Sequence, residues 1–321
     1  MTVRYLLAAD PISRFQPKFD TSLRMSEELL KRGIQVDYLD LSTVPESTDR
    51  GQFLKNIPVC PILEADPSKK EFFRFDSLTH QKIDEYSVIL QREDPPVTET
   101  FKKHYELFYG LKQLQINNPE SVLKYSEHTL PLRFPQFSIP TKIAENAEEV
   151  LKAAQEFSPE SVFKPDNQCS GFGVEFYKAS TINRSEIDTY IKKWGLPVIV
   201  QPFRSVIEKL GDLRILVINQ RILGSVMRVP RQGSRLANLH QGASSVAFDP
   251  TPKQLEATKV ITRDLAKEGI YFVGLDFIGD EISEINITSP SAMVQVNEVM
   301  GIRAQVPLID EIEALRKKLG L

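Results

Sequence analysis

Along the N-terminal stretch the spacing of apolar positions changes twice. Val3–Ala8 is a β-rich apolar run that stops at Asp10-Pro11, which predicts a strand. Leu23, Leu29 and Leu30 then share one helical stripe behind the capping triplet Asp20-Thr21-Ser22. Gly33 follows where a left-handed C-terminal cap belongs. Ile34–Leu39 returns to strand character, and strand, helix and strand in this order predict a parallel pair with a right-handed crossover. Ser42–Asp76 is polar and proline-bearing and yields no assignment. Tyr86–Leu90 predicts a third strand and Thr98–Gln113 a helix.

Asn117-Asn118-Pro119-Glu120 reads as a boundary. Beyond it come an extended Ser138–Ile143, a helix near Ala147–Glu156, and strands at Ser161–Pro165 and Pro197–Gln201. From Gly211 the chain is strand-rich, with Leu213–Ile218, Arg221–Val229 and Ile270–Ile278 around a helix at Pro252–Lys267. There is no internal repeat and no low-complexity tract. The expected organisation is three units: 1–118, an α/β substrate domain; 119–200, carrying a lysine strand and a glycine loop; and 201–321, carrying a metal site and a lid.

Composition narrows the class. With 321 residues, 41% of them hydrophobic and 26% charged, the chain has the makings of a folded enzyme of roughly two or three domains. Forty basic against forty-three acidic residues give a net charge of −3, which excludes nucleic-acid binding driven by bulk charge. No apolar stretch approaches the roughly 18 residues of a membrane helix. Cys60 and Cys169 are too few and too distant for a disulfide framework, which suits a reducing cytoplasm. Two glycosylation-like triplets, Asn183-Arg-Ser and Asn286-Ile-Thr, are chance matches in that setting.

Three constellations could carry chemistry. Lys164-Pro165 precedes the small, glycine-bearing turn Cys169-Ser170-Gly171-Phe172-Gly173-Val174. An ammonium and several backbone N–H groups could gather there around phosphate oxygens. The loop joins two strands, so it is neither a dinucleotide fingerprint nor a P-loop, and an ordinary hairpin with a surface lysine is the competing reading. Second, Glu284 and Asn286 lie two apart on a strand after Gly274-Leu-Asp276, facing one side. A three-residue turn at Gly279, Asp280 and Glu281 would set Asp276 opposite Glu284. Hard oxygen donors so placed suit Mg²⁺ shared with phosphates; a solvated acidic hairpin is the alternative. Third, the basic stretch Arg228–Gly242 could close over a phosphate site, or could be a solvated loop.

In this order the pieces resemble an ATP-grasp ligase, more narrowly the prokaryotic type of glutathione synthetase. The resemblance runs nearly end to end. It is carried by Asp10-Pro-Ile with Lys18, Arg92-Glu-Asp-Pro-Pro, Asn117-x-Pro-x-Ser, Phe163-Lys-Pro, Ser170-Gly-Phe-Gly-Val, Gln201-Pro-Phe, Gly211-Asp-Leu-Arg and Arg228-Val-Pro. Most specific is Gly274-Leu-Asp-Phe-Ile-Gly-Asp followed by Glu284-Ile-Asn-Ile-Thr-Ser-Pro. The resemblance implies an α/β ATP-grasp fold behind an N-terminal parallel-sheet domain. It implies ATP and Mg²⁺ as cofactors, γ-glutamylcysteine and glycine as substrates joined through an acyl phosphate, and a homo-oligomer. Lys164, Ser170, Gly171, Gly173, Gln201, Phe203, Asp212 and His128 would hold the nucleotide, with Gln201 and Phe203 flanking adenine. Asp276, Glu284 and Asn286 would hold Mg²⁺. Asp10, Lys18, Arg92, Arg228, Asn238 and Ser289 would bind substrate, with Arg228, Lys164 and Asn286 at the chemistry.

The chain departs from that family in four places. Ser126-Glu127-His128 stands where the family has a lysine, and histidine is a titrating imidazole instead of a fixed ammonium. The lid reads Leu236-Ala-Asn238 in place of Thr-Arg-Gly-Asn, with Arg235 one residue away, and ends Gly242-Ala243 instead of Gly-Gly. Val294 replaces an arginine or glutamine. These changes leave two alternatives open: a peptide or γ-glutamyl ligase with another substrate, and a catalytically silent ATP-binding regulator.

Overall fold

The computed structural model describes residues 3–321 apart from 167, 169, 170, 232, 236 and 238–241. Three sheets succeed one another along the chain. The first contains β1 (Arg4–Ala9), β2 (Gln35–Asp40), β3 (Ile57–Ala65), β4 (Phe73–Phe75), β5 (Thr79–Gln81), β6 (Val88–Arg92) and β7 (Leu114–Ile116). The order is β4-β3-β2-β1-β6-β7, with β5 also on β3. Helix α1 (Thr21–Lys31) makes the crossover from β1 to its parallel neighbour β2, from Arg4 opposite Gln35 to Ala9 opposite Asp40. The Asp20 carboxylate caps α1 by accepting from the Leu23 N–H at 2.7 Å, and Gly33 leaves it at φ +71°. The unassigned segment supplies a short helix α2 (Arg50–Lys55) with β3 and β4, and β5 just beyond it completes the antiparallel flank. Pro58 and Pro61 within β3 dilute its strand signal.

Helix α3 (Glu99–Glu106) is shorter than the expected Thr98–Gln113. The chain turns at Gly110, whose N–H donates to Glu120, and Leu114–Ile116 joins the sheet beside β6. Helix α4 (Pro119–Lys124) starts the next unit, capped by Asn118.

The second sheet is antiparallel, ordered β10-β9-β11-β8, with β8 (Lys142–Ala144), β9 (Glu160–Pro165), β10 (Glu175–Lys178) and β11 (Val198–Pro202). Helices α5 (Ala147–Glu156) and α6 (Arg184–Trp194) cover it, and Val150, Ile187 and Tyr190 pack on Phe163 and Val200. Asn183 caps α6 in a reciprocal box with Glu186. No helix was expected here from the sequence, although the Asn183-x-x-Glu186 spacing is its start signal.

After the short α7 (Val206–Leu210) the third sheet is β14-β13-β12-β15-β16, again antiparallel. Its strands are β12 (Asp212–Ile218), β13 (Arg221–Val229), β14 (Ser244–Val246), β15 (Phe272–Ile278) and β16 (Glu281–Asn286). Helix α8 (Pro252–Ala266) packs Ala257, Ile261 and Leu265 on one face. The last helices, α9 (Met293–Met300) and α10 (Gln305–Lys318), return to the first sheet, where Leu308 and Ile312 share a core with Tyr5, Leu7 and Leu29. That return closes the first and third sheets around a common cleft.

Candidate active site

Two connected spaces lie between the sheets. The inner pocket, about 770 Å³, is walled by the second and third sheets; the outer cleft, about 2060 Å³, is walled by the first and third. Phe172, Arg228 and Glu284 line both.

The inner pocket has an apolar and a charged end. Gln201 is buried and donates to Thr141 at 2.9 Å. Phe203 meets Phe176 edge to face, and the Arg235 guanidinium lies over both rings, 4.6 Å from the Phe203 centroid. Arg235 is also paired with Glu160 at 2.6 Å and Glu208 at 2.9 Å, so this lid arginine sits at the aromatic end. At the other end Lys164 leaves β9 and faces carboxylates. Burial pushes its ammonium pKa down, while Glu284, Asp276 and Asp212 act the other way. The glycine loop turns at Gly171 (φ +77°) and Gly173 (φ +76°), and a Cβ on Gly173 would meet Pro165 at 2.6 Å.

His128 lines this pocket and is buried. Its Nε2 lies 3.1 Å from the Gln168 carbonyl, which makes Nε2 the donor, and its Nδ1 is buried without a partner among the described residues. The imidazole is therefore a wall of the pocket, unlike an extended ammonium. Ser170 and Asn238, expected to bind nucleotide and substrate, lie outside the described residues, as does Leu236 in the lid.

The charged junction is built on β12, β13, β15 and β16. Asp212 is opposite Arg228, Arg214 opposite Asp276, and Asp276 opposite Glu284. The last pairing arises from a two-residue turn, Gly279-Asp280, plus a bulge, not from the expected three-residue turn; Ile278 pairs with Glu281 and Phe277 with Ile282. Arg214 grips Asp276 with both Nε and Nη2 at 2.6 Å. Arg228 bridges Asp212 (2.5 and 2.7 Å) and Asp276 (2.8 Å). Burial would raise the Asp276 pKa, but Arg214 and Arg228 hold it well below the carboxylate range. Burial also works against the Arg228 charge, and Asp212 and Asp276 more than restore it. Sequence reasoning missed the role of Arg214, although it ends the Gly211-Asp-Leu-Arg turn.

Two carboxylates and an amide oxygen converge here, and their lone pairs fit a divalent cation. Asp276 Oδ2 already accepts from both arginines and, at 3.3 Å, from the Asn286 amide, whereas among the described residues Oδ1 accepts only from Arg214 Nε. The Asn286 amide nitrogen is used by Gly274 and Asp276, leaving its oxygen as the acceptor. Glu284 makes no hydrogen bond or ion pair with a described residue. Among the described residues no three His, Cys, Asp or Glu side chains gather as a metal site, so any cation here needs the amide and phosphate oxygens as well. Glu127, also missed, sits behind Glu284 and accepts from the Ile287 and Thr288 N–H groups and the Thr288 hydroxyl. Burial and then the Glu284 charge push its pKa up to about 7.

Asp10, Arg92 and Ser289, three of the expected substrate residues, line the outer cleft together. Asp10 accepts from Arg14 and from the Asp94 N–H, both at 2.7 Å. Arg92 is buried, donating to Ser22 at 3.0 Å and the Pro290 carbonyl at 3.1 Å. Lys18 is exposed and its side chain does not line the cleft; its carbonyl accepts from Gln295 at 3.0 Å. Val294, at the position that departs from the family, is buried.

With this geometry established, comparison with known proteins is direct. The family model described as prokaryotic glutathione synthetase, N-terminal domain, matches residues 3–122, and that described as prokaryotic glutathione synthetase, ATP-grasp domain, matches residues 127–301. A glutathione synthetase of Vibrio parahaemolyticus serotype O3:K6 is 29% identical over 312 residues, 96% of each chain. One from Pseudomonas syringae pv. tomato is 29% identical over 321 residues, 98% of each. Among solved structures, the D-cycloserine synthetase DcsG superposes with a TM-score of 0.65 at 14% identity, covering 98% of this chain and 99% of that one. A RimK domain protein ATP-grasp from Sphaerobacter thermophilus does so at 0.61 and 14%, covering 96% and 98%. At such identities the structures speak for the fold alone.

Proposed function

The chain belongs to the prokaryotic glutathione synthetase family of ATP-grasp ligases, and on that premise we propose how its residues carry out ATP-dependent glutathione synthesis. The observation that carries the assignment is the meeting of the two spaces at Arg228 and Glu284. Adenine between Gln201 and Phe203 directs the phosphates toward Lys164 and the Gly171–Gly173 loop. The dipeptide carboxylate arrives from the cleft of Asp10, Arg92 and Ser289. Its oxygen attacks the terminal phosphorus, ADP leaves, and the glycine amine displaces phosphate from the acyl carbon.

Such transfer depends on positioning and charge neutralisation more than on covalent help. Arg228 suits the role because Asp212 and Asp276 hold its Nε and Nη2, leaving Nη1 without a bond to any described residue. Mg²⁺ held by Asp276, Glu284 and Asn286 would neutralise phosphate charge while Lys164 binds from the other side. The units 1–118, 119–200 and 201–321 each supply one wall.

No helix among the described residues is long and apolar enough to cross a membrane. With two cysteines and no framework between them, we place the enzyme in the cytoplasm. Self-association would cover the exposed Leu63 and Leu78 on the flank of the first sheet.

The test is phosphate release by the purified protein with ATP, Mg²⁺, γ-glutamylcysteine and glycine, beside Glu284→Gln. We expect turnover that a chelator stops and that the substitution lowers by about a hundredfold or more. Full activity of Glu284→Gln would refute the metal assignment, and no wild-type turnover would refute the substrate assignment.

A further inference from the structure

We propose that Phe172 is a water-excluding plug between the nucleotide pocket and the dipeptide cleft, a positioning residue that reserves the acyl phosphate for the amine. The proposal rests on the reading of the two spaces given above.

Phe172 shares with Arg228 and Glu284 the property of lining both spaces, so it stands where the transferred phosphoryl group passes from one to the other. It is also 61% exposed, in contrast to Phe163 on the preceding strand, which is fully buried. An aromatic ring left in water at the centre of a site gains by being covered when substrates fill the space around it. The backbone holds the ring at that place. Phe172 lies between Gly171 and Gly173, both at positive φ, and the return of the loop is set by Gly173 against Pro165.

The chemistry supplies the need. In the acyl phosphate the carbonyl carbon is bonded to an oxygen of phosphate. Attack by glycine forms the C–N bond, breaks that C–O bond, releases phosphate and gives up a proton from nitrogen. Attack by water at the same carbon also breaks the C–O bond and releases phosphate, but returns the carboxylate. ATP is then spent with no amide formed. Arg228 polarises either reaction equally, so charge alone does not discriminate between water and amine. Once nucleotide and dipeptide fill the spaces on either side, the ring between them takes up the room in which a water could line up.

The experiment measures phosphate released per amide formed by the full-length enzyme with ATP, Mg²⁺, γ-glutamylcysteine and glycine, for wild type, Phe172→Ala and Phe172→Leu. Wild type should release about one phosphate per amide, and Phe172→Ala about threefold more, with a Michaelis constant for ATP changed by less than about twofold. Phe172→Leu, which restores apolar bulk, should return the ratio toward wild type. An unchanged ratio in Phe172→Ala, or loss of ATP affinity with the ratio intact, would overturn the plug. Absence of phosphate release by the wild type with this dipeptide would instead overturn the underlying substrate reading.

Discussion

At Gly211 the backbone leaves no room for a side chain, so Gly211→Ala tests how the junction is built. Gly211 has φ +86° and ψ −160°, a region open essentially to glycine alone. A Cβ there would stand 2.1 Å from the Arg228 carbonyl oxygen and 2.8 Å from its carbon. An ordinary carbon–oxygen approach is about 3.3 Å, so the start of β12 and the end of β13 must part by about 1 Å. These are the strands that set Asp212 against Arg228. The conformation costs about 1–3 kcal/mol, and forced repacking adds about the same again. Gly33→Ala is the control, because Gly33 also has positive φ (+71°) but nothing lies within 4 Å of its Cβ position. It should lose only about 1–2 kcal/mol. Urea unfolding should therefore separate the two by roughly 2–3 kcal/mol. Misplacing Arg228 by about 1 Å should also cut kcat/KM about a hundredfold in Gly211→Ala alone. If both variants lose equal stability, or Gly211→Ala keeps wild-type kcat/KM, the approach of the two strands does not position the arginine.

Lys164→Met should weaken ADP binding by about ten- to a hundredfold, read by calorimetry, since a charge-assisted contact is worth about 1.5–3 kcal/mol. The ligand-free variant should be no less stable than wild type, because burial already disfavours the ammonium; a large loss of stability would show that Lys164 is structural. Arg235→Ala should speed release of a fluescent ADP analogue by about fivefold at low salt, since half-exposed ion pairs and a ring contact contribute about 1 kcal/mol together. The difference should shrink as salt rises, and an unchanged release rate at low salt would show that Arg235 does not help to hold the nucleotide at the aromatic end.

Much of the fold and site could be read along the chain wherever the responsible interaction is local. The alternation through Glu284-Ile-Asn286 puts both donors on one face of any strand they form, and Asp20 and Gly33 mark the ends of α1 through their own backbone preferences. The start signal of α6, Asn183 and Glu186, is equally local, but it was passed over in the sequence. The flank β3–β5 was opaque for the complementary reason: β3 carries two prolines and is held by pairing with β2, and the three-residue β4 and β5 are held by pairing with β3, which no local spacing reveals. Helix α3 stops at Glu106 and the chain turns through Gly110 at φ +63°, a conformation that a right-handed helix cannot continue through.

Residue type and spacing thus specified which chemistries were possible: an ammonium before a glycine turn, and oxygen donors two apart on a strand. Folding decided which of them meet and in what electrostatic state. Arg214 is 62 positions from the Asp276 it neutralises, and Glu127 lies 161 positions from the Thr288 that holds it beside Glu284. Charge interactions depend on distance through space and on burial, neither of which is written in chain order. The same holds for Phe172, an ordinary loop aromatic in the sequence, which only the packed sheets place at the junction of two clefts.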